Sequence, residues 1–158
     1  MLKRYTFWLW TSVVLLFLTA AVHSLSLFVS PTPENESERL LHELFTTYQK
    51  DLGGGFQRTF SDLFTALSSC FSFVCLLGGL INAYLLKKKV SPEILRGVTL
   101  INVIVFGAVF AVMAFFTFLP PIILTGLIFV TLLVAYLMLR YEAQGSSVAE
   151  VPGTPDLG

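Results

Sequence analysis

The chain has 158 residues, of which 55% are hydrophobic and only 13% charged. That is too apolar for the surface of a soluble domain of this size, and a formal net charge of zero excludes the basic excess that marks a nucleic-acid partner. Its ten basic and ten acidic residues are instead segregated along the sequence, a pattern that orients a protein in lipid.

A hydrocarbon core of roughly 30 Å takes about 20 helical residues at about 1.5 Å each. Four stretches reach that length, at about 5–30, 60–86, 94–119 and 122–139, and charges interrupt them only near their ends. The first competes with a signal peptide, because "MLKR" is a basic start and Thr19, Ala20 and Ala21 are small enough for cleavage. Its apolar run continues nine residues past Ala21, whereas a signal core spans about 7 to 15 residues in all, so a retained span is predicted. On that span Ser12, Thr19, His23, Ser26 and Ser30 fall on one narrow helical stripe, since their spacings are 7, 4, 3 and 4.

Residues 31–59 form the one long connection on the outer side. Within "TPENESERLLHELFTTYQKDL", Thr32 is placed to cap a helix, Pro33 to open it and glutamates to fill its first turn. Leu40, Leu41, Leu44, Phe45, Tyr48 and Leu52 recur on one side, opposite Glu36, Glu43, Thr46 and Lys50. An amphipathic helix over about 33–52 is therefore predicted, lying along the outer interface or capping the spans. Gly53, Gly54 and Gly55 end it, and they lack the lysine and hydroxyl that a phosphate loop needs. "HELFT" departs from a zinc-protease motif because Thr46 stands where histidine is required. Glu38 and His42 have a spacing that can share a metal, but a solvated helix face explains them, and no metal or cofactor site is assigned. "NES" at Asn35 to Ser37 fits the glycosylation pattern and is read as chance, because it sits at a helix start next to the membrane.

The second span carries a matching stripe: Ser61, Thr65, Ser68, Ser72, Cys75, Gly79 and Asn82. Small residues let helix backbones approach, and hydroxyls can bond across the contact, so the first two spans are predicted to pack along these seams. Cys70 and Cys75, five apart on one helix, point to different sides and cannot pair. The partners expected for His23 come from the region of Thr65 to Ser69. One reading makes it a packing hydrogen-bond partner; the other makes it a proton acceptor or ligand contact, with Asp62, Ser68 and Ser69 beside it. Asn82 and Asn102, toward the same ends of the second and third spans, are placed to hydrogen-bond each other.

"SPEIL" at Ser91 to Leu95 repeats the cap-and-proline device for the third span. Pro120 and Pro121 stop that span and open the fourth, which makes the last two an antiparallel hairpin. The stretch "AQGSSVAEVPGTPDLG", 143–158, has nothing to bury and is predicted to be a disordered tail.

Seven basic residues, Lys3, Arg4, Lys87, Lys88, Lys89, Arg96 and Arg140, lie on one side of the spans, against Arg39, Lys50 and Arg58 on the other. Positive charge favours the cytoplasm, which places both termini there and residues 31–59 outside. Tyr5, Trp8, Trp10, Tyr84 and Tyr141 cluster at the basic face, as headgroup-level rings do.

Together these readings describe an all-α polytopic membrane protein, with four transmembrane helices in an antiparallel bundle over residues 1–142 and an extracytoplasmic amphipathic helix. Through "SPTPENESERLLHEL", "GGGFQRTFSDLFTALS" and "FLPPIILTG" the chain resembles the small four-helix proteins of bacterial inner membranes, and in plan it is similar to DoxX-type proteins. The resemblance implies a bacterial inner-membrane location and supplies no catalytic motif. The CxxC pair of a quinone-coupled thiol oxidase and the buried acids of a membrane sterol isomerase do not occur in the sequence. The expected function is that of a non-catalytic membrane protein, a homo-oligomer or an accessory subunit of a membrane complex, with the lipid bilayer as its surroundings. A lipid- or quinone-binding protein with a cavity near His23 and Asp62 is the alternative. A small transporter fits less well, because the second to fourth spans lack mid-membrane prolines and charges.

Overall fold

The computed structural model describes residues 4–29 and 32–149, so Lys3, Ser30, Pro31 and the tail 150–158 lie outside the described residues. Its elements run α1 (Arg4–Ser26), α2 (Glu36–Thr47), β1 (Gln49–Asp51), β2 (Gln57–Thr59), α3 (Phe60–Lys88), α4 (Pro92–Phe116) and α5 (Leu119–Ala149). Four of the five helices, α1, α3, α4 and α5, are long and apolar enough to cross a membrane. The chain divides into two compact units: Met1–Phe17 with Gly78–Gly158, and Leu18–Leu77.

Local chemistry sets the helix ends. α1 closes in tightened turns, with Leu27 N–H donating to Ser24 O and Phe28 N–H to Leu25 O. α3 opens on a reciprocal cap in which Asp62 N–H donates to Thr59 Oγ1 at 3.1 Å and Thr59 N–H donates to Asp62 Oδ2 at 3.0 Å. At its other end Lys87 and Lys88 occupy the last turn, and Lys89, at φ 49°, takes the left-handed conformation that turns the chain out of a helix. Ser91 then accepts from Ile94 N–H and Pro92 sits in the first turn of α4, the arrangement that "SPEIL" predicts. Thr117 ends α4 by donating its N–H and hydroxyl to Met113 O, and Pro120 and Pro121 lie in the first turn of α5.

The segment between α1 and α3 departs from its predicted form. α2 begins at Glu36 rather than 33, because Asn35 takes the cap: its Oδ1 accepts from Glu38 N–H at 2.9 Å, and Glu38 accepts in return from Asn35 Nδ2. A lone hydroxyl at Thr32 offers less than this two-way bond. Arg39 holds Glu36 through its side chain and keeps that carboxyl below the ordinary glutamate range. The helix stops at Thr47, short of 52, because the following residues find strand partners. Gln49 pairs with Thr59, Lys50 with Arg58 and Asp51 with Gln57, in a short antiparallel hairpin that an all-α reading does not anticipate. Gly53, Gly54 and Gly55 carry φ values of 85°, 63° and 82°, so the glycine run is the hairpin's turn rather than a loose link, and Asp51 fixes it by accepting from Gly53 N–H. Phe45 packs edge-on to Phe64, and Tyr48 stacks over Phe60, which folds α2 back onto the start of α3.

In the unit that holds α4 and α5, the core is Leu9, Leu16, Phe106, Ile128, Leu132 and Leu139, each nearly inaccessible. Its close contacts are glycines faced by phenylalanines. A Cβ placed on Gly78 would lie 3.1 Å from the Phe106 ring, one on Gly107 3.0 Å from Phe129, and one on Gly126 3.1 Å from Phe110. The last two contacts are reciprocal across the α4–α5 hairpin, and Phe110 and Phe129 stack at 6.0 Å and 10° between them. Leu127 and Val130, about half exposed, face away from this contact. α5 continues to Ala149, past 143 where composition predicts a disordered tail; the helix takes in Gly145, and the sequence has no proline between Pro121 and Pro152 to stop it.

Candidate functional site

The sequence-singled residues fall into three groups. At the first lies Asn82, fully buried: Asn102 Nδ2 donates to its Oδ1 at 3.3 Å, joining α3 to α4, while Asn82 Nδ2 donates to Gly78 O and Asn102 Nδ2 also reaches Val98 O. One turn away Gly79 lies against the Phe17 ring, which a Cβ would approach to 3.2 Å. Replacing Asn102 with Leu should cost about 0.6 to 1.7 kcal/mol in detergent, between the average and the maximum measured for hydrogen bonds between membrane helices. A denaturation curve coincident with the parent's would show that the bond contributes nothing.

The second group is the small-residue stripes. Ser12 is buried and donates to Leu9 O at 2.8 Å, and Cys75 is fully buried, whereas Cys70 is exposed. Toward the α2 side the stripes come out to the surface. Ser26 is exposed and donates to His23 O, Thr65 is exposed, and Ser69, half-buried, donates to Thr65 O at 2.7 Å. Ser68 is half-buried.

The third group surrounds His23. The ring is half-buried and stands edge-on to Phe71, 5.0 Å between centroids. Its Nε2 is buried and makes no hydrogen bond; the same holds for Thr19 Oγ1, one turn earlier on α1, and for Ser72 Oγ, the residue after Phe71. The Asp62 carboxylate is engaged in the α3 cap, and among the described residues no ion pair joins it to His23. Elsewhere, Thr32, Pro33, Leu41 and Phe45 line an open cleft of about 550 Å³ with Glu38 and His42. Glu38 is drawn into the Asn35 cap and also accepts from Glu34 N–H. No group of three or more metal-ligating side chains occurs among the described residues.

The stripes omitted Gly78, Gly107 and Gly126 together with the phenylalanines that face them. Their signal was in the sequence as single glycines inside apolar runs, but nothing there specifies which ring each one meets. No protein-family model, no curated protein and no solved structure matches the chain.

Proposed function

We propose that the chain is an integral protein of a bacterial inner membrane, in which α1, α3, α4 and α5 form an antiparallel four-helix bundle with both termini cytoplasmic. It serves there as a non-catalytic subunit, in a homo-oligomer or a larger membrane complex. The observation that supports this reading best is the composition of the interior. Among the described residues every buried polar side chain is a hydroxyl or an amide, and phenylalanine rings close over several helical glycines. Such an interior holds helices together at close range and offers a substrate no charged path. The segment of α2, β1 and β2 stands outside, with the apolar face of α2 against the outer interface.

Orientation is tested in a background with Cys70 and Cys75 replaced by alanine. Gln49→Cys should react with a membrane-impermeant maleimide in intact cells, and Lys87→Cys only after the cells are opened. Reaction of both from the same side would refute the topology. Native mass spectrometry of detergent-extracted protein then reads its assembly: a defined oligomer or a partner at fixed stoichiometry is expected, and a bare monomer under all mild extraction conditions would sink the subunit role.

A further inference from the structure

The buried hydroxyls of this protein behave in two ways. Ser12, Thr99, Thr125 and Thr131 each donate to a carbonyl three or four residues back in their own helix, at 2.7 to 2.9 Å. That bond is open to any serine or threonine in a helix, and it lets a hydroxyl be buried at little cost. Thr19 and Ser72 are equally buried, 2% and 7% exposed, and make no such bond. Thr19 lies one turn before His23 on α1 and Ser72 directly follows Phe71 on α3, and His23 Nε2 is idle as well. Three buried polar atoms so close along two helices would each cost about 1–3 kcal/mol if nothing ever satisfied them.

We propose that Thr19, His23 and Ser72 form a binding site for the carbonyl oxygen of a lipid-soluble molecule, entered from the apolar side past the exposed edge of His23. The two hydroxyls donate, and the imidazole does so in the tautomer that carries its proton on Nε2, so together they suit an acceptor with more than one lone-pair direction, which a carbonyl supplies. The surroundings set the rest of the ligand. Leu18 and Val22 on α1 are about half exposed and offer apolar surface beside His23, while the Phe71 ring forms a wall. The body of the ligand is therefore apolar, and its polar part is small. Thr19, Ala20, Ser72 and Cys75 on the two helices are all small and buried. Two classes of molecule carry this chemistry in a membrane: a prenylquinone, through its ring carbonyls, and a diacyl lipid, through its ester carbonyls. The inference rests on the membrane reading above, but its test does not depend on topology or assembly.

The full chain in detergent is examined by native mass spectrometry with two probes added separately, a benzoquinone bearing a ten-carbon tail and an uncharged diacylglycerol. The parent protein should retain one equivalent of at least one probe. Thr19→Val with Ser72→Ala, which removes both hydroxyls at nearly constant volume, should lower that retention about tenfold, the equivalent of two ordinary hydrogen bonds. The same double variant should melt no lower than the parent, because it deletes unmet polar groups rather than contacts. His23→Asn gives an independent arm, in which the donor is kept on a shorter side chain and retention falls again. Retention of the quinone alone or of the diacylglycerol alone identifies the source, and either supports the site. Retention of neither probe by the parent, or equal retention by the parent and all variants, overturns it.

Discussion

Phe106→Ala should be among the most damaging single substitutions in this protein, lowering stability by about 3 kcal/mol or more in detergent. The ring is only 2% exposed and is the largest fully buried side chain among the described residues. It lies in the space left by Gly78, where an added Cβ would meet it at 3.1 Å. Removing it leaves a void that lipid and detergent cannot enter, and the van der Waals contacts around it are lost outright. The partner position makes the test specific. Gly78→Ala alone should cost about 1–2 kcal/mol, because the crowded ring has no free side to move into. Combined with Phe106→Leu, the same Gly78→Ala should cost less than it does in the parent. A double-mutant cycle with a coupling below about 0.5 kcal/mol would show that the two positions do not act through each other.

The second large effect is expected in the α4–α5 hairpin. Gly107→Leu introduces a side chain whose first carbon alone would stand 3.0 Å from Phe129, so it should destabilise the hairpin by about 2–3 kcal/mol. Gly97, on the same helix, provides the control. A Cβ there meets nothing within 4 Å, and Gly97→Ala should be neutral or stabilise by up to about 1 kcal/mol through helix propensity. Melting curves of the two variants in one detergent decide the matter. Similar behaviour would mean that the glycines act only through backbone flexibility and that the phenylalanine contacts carry no weight.

The contrast between those two glycines also shows what the sequence could and could not disclose. The long elements were legible because each depends on a one-dimensional signal: a run of apolar residues for α1, α3, α4 and α5, and a serine followed by proline for the start of α4. The Asn82–Asn102 contact was legible for a similar reason, since two amides in apolar helices at matching depth have few other partners. The hairpin was not. Its strands are three residues each, too short for an alternating pattern, and the amphipathic period of α2 happens to continue through Tyr48 and Leu52 after the helix has ended. The capping role of Asp62 was hidden for another reason. Sequence reveals that an acid is present near a helix start, but the competing claim of the Thr59 cap becomes visible only when the first turn is built. The idle state of Thr19 and Ser72 was likewise out of reach, because a hydroxyl's bond to its own helix depends on a side-chain rotation that composition does not encode.

The reciprocal contact between Gly107 and Phe129 and between Gly126 and Phe110 bears on how this chain can change over generations. Each glycine is tolerable only while a ring fills the space opposite, and each ring is tolerable only while the glycine stays small. Either residue mutated first produces a clash or a void, so the intermediate is selected against, and the accessible route is an exchange of size between the two helices. In descendants of this sequence the four positions should therefore drift as two linked characters, large against small in either order. The α4–α5 pairing can be inherited in that way even where the residues that make it have all been replaced.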